Sequence, residues 1–274
     1  MPASRFLVIV LIFATLLPGC GLLPEVEDET KDWSASKFYS EAKAALDGGD
    51  YQTAIKYYEG LEARYPFGRY AQQAQLDVAY AYYKYDEPES AVAAVDRFIK
   101  LQPRHPSVDY AYYLKGLVNF NRGTSLFDRF IPSDPSQRDP GAAITSFKDF
   151  AELVEKFPES KYAEDARLRM IYLRNNLANY EVHVARYYMK RQAYVAAVNR
   201  TNHVIEKYQR TPAVRDALEI QIAAYTALGM DDLAADAGRV LELNKAKGTF
   251  VNLEQFEPKK TWGRRVWDYL QLDE

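Results

Sequence analysis

The sequence has few of the residues on which most enzymatic and metal chemistry depends. Its 274 residues include one cysteine, Cys20, and three histidines. A single cysteine excludes an intramolecular disulfide framework, a cysteine-based zinc site and a CxxC redox motif. Glycine and proline number 13 each, too few for a sandwich or barrel built on many tight turns. No Gly-rich phosphate loop, HExxH or GxSxG motif occurs. The composition therefore argues against an enzyme and predicts neither a cofactor nor a bound metal.

A large excess of charge of one sign is also missing. The chain carries 38 acidic and 35 basic residues, which leaves a formal net charge of −3. A nucleic-acid-binding protein would normally present a strongly basic face, so no nucleic-acid partner is expected. At about 100–200 residues per domain, the length allows one elongated domain or two compact ones.

Long apolar runs are confined to the N-terminus. Residues 6–17 are almost unbroken in apolar character and follow the positive charge of Arg5. The run is shorter than the roughly 20 apolar residues that a membrane-spanning helix needs. It is typical of the apolar region of a signal peptide, which we place over residues 1–19.

The signal ends at Leu17-Pro18-Gly19-Cys20, which resembles the lipobox of bacterial lipoproteins. That resemblance implies lipidation of Cys20. Because Gly21 rather than Asp follows, it also implies transfer to the outer membrane, on its periplasmic face. An ordinary secretory signal with a chance cysteine is the alternative. Residues 20–33 then form the lipidated end and a flexible linker.

The body of the chain repeats itself. Five times, a turn is followed by a small residue and then by larger apolar residues one and two helical turns later. These small residues are Ala54, Ala91, Ala143, Ala197 and Ala234. Their shorter separation, 37 residues, is close to the tetratricopeptide period of about 34. Upstream of each turn, apolar residues at helical spacing indicate a second helix. The sequence predicts an all-α solenoid of about five tetratricopeptide-like helix pairs.

The two longer separations locate additions to the repeat. We expect N-terminal repeats over residues 34–121 and C-terminal repeats over 122–244, with an inserted loop at 122–140. An extended helix near 163–191 and an extra turn before Pro158 account for the other addition. Residues 245–274 form a C-terminal extension of open role, in which Trp262, Val266 and Tyr269/Leu270 share a helical face flanked by Lys259, Lys260, Arg264 and Arg265.

Tyrosine is abundant, with 22 residues, and it clusters. Seven aromatic side chains fall within 21 positions: Tyr65, Phe67, Tyr70, Tyr80, Tyr82, Tyr83 and Tyr85. Tetratricopeptide cores bury many aromatics, but residues 80/83 and 82/85 cannot all share one buried stripe. We therefore expect some of them on a concave surface, where tyrosine contacts an extended peptide at low entropic cost.

Several motifs resemble the BamD family, the lipoproteins of the outer-membrane β-barrel assembly machinery. They include Arg64-Tyr65-Pro66-Phe67-Gly68, Tyr80-Ala81-Tyr82-Tyr83-Lys84, Arg138-Asp139-Pro140 and Val198-Asn199-Arg200. The resemblance extends from the lipobox to about residue 243 and leaves the tail without a counterpart.

The resemblance implies binding to the periplasmic POTRA region of the barrel insertase, to accessory assembly lipoproteins and to unfolded β-barrel substrates. It implies that the C-terminal signal of a substrate, commonly aromatic at its end, contacts Tyr65, Phe67, Tyr70, Tyr80 and Tyr83. It also implies an insertase contact at Arg200. The helical period places Arg200 off the apolar stripe of its helix, pointing toward solvent or a partner. An envelope adaptor for peptidoglycan-associated or division proteins stays open as an alternative.

Overall fold

A computed structural model describes residues 29–122 and 139–250. These residues form ten α-helices and no strand: α1 (Ala35–Asp47), α2 (Tyr51–Arg64), α3 (Arg69–Lys84), α4 (Pro88–Leu101), α5 (Val108–Asn121), α6 (Gly141–Lys156), α7 (Ala163–Lys190), α8 (Tyr194–Lys207), α9 (Ala213–Ala227) and α10 (Asp231–Ala246). The expected signal peptide, Cys20, most of the linker, most of the inserted loop and the extension beyond residue 250 lie outside them.

The helices stack in chain order. Each helix packs against the next, and contacts between alternate helices join α1 to α3, α3 to α5 and α7 to α9. The alternate contacts all involve the first helices of the pairs, so these helices form the inner layer of a solenoid. The predicted all-α solenoid of five helix pairs is confirmed, and the extended helix expected near 163–191 is α7.

The turns inside the pairs share one backbone feature. The residue that ends the turn before α2, α4, α8 and α10 lies in the left-handed region, at Gly49, Asp86, Gln192 and Gly229. Asp50 then starts α2 by accepting a hydrogen bond from the Thr53 amide at 3.1 Å, and Pro88 occupies the first turn of α4. Caps and prolines of this kind satisfy or remove amides that have no partner within the helix.

Each pair was predicted to bury one small residue in its second helix, and three of the five pairs follow this prediction. These small residues are Ala54, Ala91 and Ala197, which are fully buried. In α6 and α10 the prediction is wrong by one turn, because Ser146 and Ala237 are buried whereas Ala143 and Ala234 are only partly so. The extra turn of α6 therefore lies at its N-terminal end and not before Pro158.

The α5–α6 contact explains the shift in α6. Ser146 donates a hydrogen bond to the Gly116 carbonyl at 3.0 Å, so a hydroxyl group takes the place expected for a methyl. A Cβ at Gly116 would lie 2.5 Å from ring atoms of the buried Phe150. The close approach of the two helices thus depends on a glycine on one side and a serine on the other.

Candidate functional site

The inner layer of the solenoid carries three groups of tyrosine rings in succession. They run from α1 through α3 and α5 to the start of α7, and together we call them the tyrosine ladder: Tyr39, Tyr70, Tyr80, Tyr83, Tyr110, Tyr113 and Tyr162. A spacing of three residues brings Tyr80 and Tyr83 to one face of α3, and Tyr110 and Tyr113 to one face of α5. Tyr70, in contrast, lies about 80° around α3 from Tyr80.

Asp77 anchors the first part of the ladder. Its carboxylate accepts hydrogen bonds from the Tyr39 hydroxyl at 2.9 Å, the Gln73 amide at 2.9 Å and the Tyr58 hydroxyl at 3.5 Å. The Tyr39 ring lies 5.5 Å from that of Tyr70. Burial raises the pKa of Asp77, although the hydrogen bonds from Gln73 and Tyr39 oppose it. Burial and the neighbouring carboxylate also raise the pKa of Tyr39, so its hydroxyl remains a donor.

The middle of the ladder joins α3 to α5. The rings of Tyr80 and Tyr83 are 6.1 Å apart, and the Asn121 amide donates to the Tyr83 hydroxyl at 2.5 Å. Burial is the main cause that raises the pKa of Tyr110, and Tyr80 and Tyr162 lie close enough to add to it.

The last part of the ladder joins α5 to α7. The Tyr113 ring stacks on Tyr162 at 4.8 Å, and Tyr110 lies 5.4 Å from the same ring. The Tyr113 hydroxyl donates to Asp165 at 2.6 Å. Burial opposes ionisation of Asp165, but hydrogen bonds from Tyr113 and Arg169 lower its pKa overall. The carboxylates beside the ladder are thus held in place by its own hydroxyls.

The five substrate-contact residues expected from the sequence do not form one pocket. Tyr70, Tyr80 and Tyr83 belong to the ladder, but ten residues of helix separate Tyr70 from Tyr80 by about 15 Å. Tyr65 packs its ring edge-on against Phe38 and donates its hydroxyl to the Trp33 carbonyl at 2.8 Å. Tyr65 therefore has a structural task at the start of the solenoid.

Phe67 lies in the turn between α2 and α3 and is 90% exposed. Next to it, the Arg69 guanidinium covers the Tyr70 ring at 4.8 Å and donates to its hydroxyl at 3.0 Å. The turn thus presents an exposed aromatic ring beside a cation, at the end of the ladder where Tyr70 lies.

Four ladder residues were not among the contacts expected from the sequence: Tyr39, Tyr110, Tyr113 and Tyr162. Tyr110, Tyr113 and Tyr162 lie 25 or more residues from the end of the predicted cluster. The motifs Asp109-Tyr110 and Tyr162-Ala163 were available as a signal. Only the packing of α5 on α3, and the contacts of Tyr113 with the start of α7, show that these rings lie next to the predicted cluster.

Arg200 of α8 forms an ion pair with a carboxylate of the neighbouring helix α7. It lies off the buried stripe that contains Thr201 and Val204, as the helical period predicts. Its guanidinium bonds the Glu181 carboxylate of α7 at 3.1 Å, with the side chains 42% and 12% exposed respectively. This hydrogen bond is the main cause that raises the pKa of Arg200. The expectation of an arginine pointing to solvent or a partner missed this neighbouring carboxylate.

The described ranges, residues 29–122 and 139–250, offer neither a metal-binding cluster nor a membrane-spanning helix. In these ranges no group of three or more His, Cys, Asp or Glu side chains is placed to hold a metal ion. Nor does any helix in the same ranges have the length and apolar character needed to cross a membrane.

Comparison with known proteins identifies the class. Residues 31–241 match the family model YfiO, described as an outer membrane lipoprotein. A protein of Neisseria gonorrhoeae named outer membrane protein assembly factor BamD is 50% identical over 238 residues, which cover 87% of this chain and 89% of the relative. The BamD of Vibrio cholerae is 40% identical over 85% of this chain and 96% of the relative.

The chain belongs to the YfiO family of outer membrane lipoproteins, and most of its length is similar to the BamD assembly factors. The resemblance drawn from its motifs is confirmed. Among solved structures, the MamA protein aligns with 78% of this chain and 94% of its own at a TM-score of 0.37 and 15% identity, too weakly to bear on the function.

Proposed function

We propose that this protein is an assembly factor for outer-membrane proteins, and that it works by binding and not by catalysis. Its family and the names of its relatives support this role. We further propose a lipid on Cys20 that attaches it to the periplasmic face of the outer membrane, where it joins the insertase and its accessory lipoproteins. The lipobox after a short apolar run supports the anchor.

The anchor has a direct test. Replacing Cys20 with Ala removes the sulfur that accepts the acyl chain, so incorporation of labelled palmitate should be lost. Cell growth is a poor measure, because contacts with partners can hold the protein at the membrane. Equal labelling of the wild type and Cys20→Ala would contradict the anchor.

The tyrosine ladder is the observation that supports peptide binding most strongly. Tyrosine rings offer large apolar contacts with few rotatable bonds, and their hydroxyls hydrogen-bond to peptide groups. The ladder crosses three repeats, so it suits an extended chain segment better than a single side chain. We propose that it holds the C-terminal signal of an unfolded β-barrel protein.

Charge suggests the direction in which the signal lies. Asp165, beside Tyr113 at the Tyr162 end of the ladder, would repel the terminal carboxylate of the peptide. Arg69, beside Phe67 and Tyr70, provides the opposite charge at the other end. We propose that the aromatic last residue of the signal packs on Phe67 and Tyr70 and that its carboxylate pairs with Arg69.

A peptide-binding measurement tests this arrangement. Phe67→Ala should weaken an aromatic-ended signal peptide by about 2 kcal/mol, the scale of an interface hot spot. This corresponds to roughly 30-fold in affinity. Because Phe67 is exposed, the helical circular dichroism should not change. Unchanged affinity with normal dichroism would remove this turn from the site.

Amidation of the peptide provides a matched control for Arg69. An amidated signal should bind the wild type more weakly than the free acid does, whereas Arg69→Ala should bind the two forms equally. If amidation affects both proteins to the same extent, the carboxylate does not pair with Arg69.

For the insertase, we propose a contact at the Arg200–Glu181 pair. An acidic group on the partner can reach Arg200 only by sharing it with Glu181 or displacing that carboxylate. The exposure of Arg200 leaves room for sharing, because its guanidinium has five donors and Glu181 takes one of them. Glu181 would then orient Arg200 toward the partner.

A further inference from the structure

The last described helix has an apolar outer face. Leu233, Val240 and Leu243 of α10 are 44%, 45% and 55% exposed. At 100° per residue they fall within a sector of about 80°, which also contains Asp236 and borders the buried Ala237. Solenoid proteins normally end in a helix whose outer face is polar, because no further repeat covers it. A stripe of this kind points to an occupant.

The other end of the solenoid shows how this protein closes a terminal pair. Trp33, which precedes α1, lies 5.2 Å from the Phe38 ring and 5.1 Å from the Tyr57 ring. Its carbonyl accepts the Tyr65 hydroxyl, and Arg64 donates to the carbonyl of Thr30. A short flanking segment with a tryptophan thus covers the first pair.

The chain outside the described residues begins where such a cover is needed. Phe250 is buried and packs with Leu218 and Leu241, so residue 251 starts at the C-terminal end of α10. The remaining residues, 251–274, number 24. The 16-residue α10 is about 24 Å long. A segment of this length can turn at Pro258 and still run back along most of the helix.

The composition of that segment matches the face. It contains two of the three tryptophans of the chain, and Trp262, Val266 and Leu270 recur at helical spacing. Helix α10 carries four acidic and two basic residues, whereas residues 259–267 carry four basic residues and no acidic one. The apolar pattern and the basic stretch at 259–265 are therefore complementary to the outer face, whereas residues 251–274 as a whole carry five acidic residues against these four basic ones.

We propose that residues 251–274 fold back on their own chain and cover the outer face of α10, with Trp262, Val266 and Leu270 against Leu233, Val240 and Leu243. The C-terminal pair would then be closed by a flanking tryptophan segment, as the N-terminal pair is. This inference is independent of the peptide and insertase sites.

Amide hydrogen exchange on the full chain tests the proposal. Residues 259–272 should exchange several-fold more slowly than expected for a free peptide of the same sequence. Val240→Glu, on the outer face, should remove that protection. Val195→Glu should keep it, because Val195 is an exposed valine on α8, away from this end. Thermal unfolding of both variants verifies that the ten helices remain folded.

Other occupants give different results, and each overturns the proposal. Fast exchange of residues 259–272 in the wild type, or equal protection in Val240→Glu, would show that the segment does not cover α10. Protection that disappears on dilution would indicate a second copy of the chain. Protection that appears only with vesicles of anionic phospholipid would assign the segment to the membrane.

Discussion

The first three helix pairs and the last two share one architecture but offer different surfaces. Side chains from Phe38 to Val118 form one continuous core, and aromatic rings extend along the inner layer as far as Tyr162. Around α6 and beyond it, the core divides into smaller clusters. There the helices are joined by ion pairs such as Arg186–Asp216 and Arg200–Glu181.

This difference suggests a division of labour within one solenoid. An aromatic face binds extended peptide through apolar area and adaptable hydroxyls. A charged face of paired side chains gives selective, orientation-dependent contact with a folded partner. We propose that the ladder makes contacts of the first kind and that α7 and α8 make contacts of the second kind.

The continuous aromatic core should produce the largest effect on stability. Phe98→Ala removes a fully buried ring between α4 and its neighbours and should lower the free energy of unfolding by about 3–5 kcal/mol. Phe67→Ala is the matched control, because that ring is exposed and should change stability by less than about 0.5 kcal/mol. Urea unfolding followed by circular dichroism measures both. Similar losses in the free energy of unfolding for the two variants would mean that the buried ring of Phe98 does not stabilise the core.

The charged surface predicts a large effect on binding without one on folding. Arg200→Glu places a second carboxylate next to that of Glu181. The affinity for the insertase should fall by about 2–5 kcal/mol, mainly through a faster off-rate. The loss of a partly exposed ion pair should change the folding free energy by no more than about 1 kcal/mol.

Two results would sharpen or refute the Arg200 contact. A basic substitution at the partner carboxylate should restore the complex with Arg200→Glu. If Arg200→Glu co-purifies with the insertase as well as the wild type does, the interface lies elsewhere.

A smaller effect should separate the ladder from other exposed tyrosines. Tyr110→Ala removes a ring between Tyr80 and Tyr162 and should weaken a signal peptide by about 2 kcal/mol. Tyr187→Ala serves as the control, because Tyr187 is exposed on α7 and its ring contacts only its near neighbours Tyr188 and Arg191 among the contacts described. Calorimetry on both variants measures the difference, and equal losses would refute a specific ladder.

The smallest effect concerns pH. Because burial raises the pKa of Asp77, the folded protein binds this proton more tightly than the unfolded chain. The stabilisation by this group is therefore complete below the unfolded pKa of about 4 and is lost as pH rises through the folded pKa. Asp77→Asn removes the titration while the amide oxygen still accepts the Tyr39 hydroxyl.

Urea unfolding across the acidic range tests this prediction. From about pH 4 upward, the stability of the wild type should fall relative to Asp77→Asn until Asp77 is fully ionised. Parallel curves for the two proteins would show that Asp77 does not have a raised pKa.

Local patterns predicted the fold where one residue type marks the contact. The alanine spacing placed Ala54, Ala91 and Ala197 correctly, because a methyl group is what the close helix approach accepts. It failed in α6, where Ser146 takes that place through a hydrogen bond to the backbone of Gly116. A small polar residue gives no apolar signal, so the register there depended on the packing of the partner helix.

The candidate site was predictable only in part, for a related reason. Tyr70, Tyr80 and Tyr83 share one helix and were visible as a cluster, whereas Tyr113 and Tyr162 join them through the stacking of helices. The substrate contacts and the Arg200 interface remain predictions. The Arg200–Glu181 pair in turn depends on the register between α7 and α8, which no local pattern states.

Photo-crosslinking in cells tests the division of labour most directly. A photoreactive phenylalanine analogue at Tyr80, in the ladder, should capture an unfolded β-barrel precursor through its C-terminal signal. The same analogue at Tyr187, on the other half, should not capture it. We also expect the crosslink at position 80 to be lost when the last aromatic residue of the precursor is removed. Equal capture at the two positions, or capture at position 187 alone, would contradict the assignment of the signal to the tyrosine ladder.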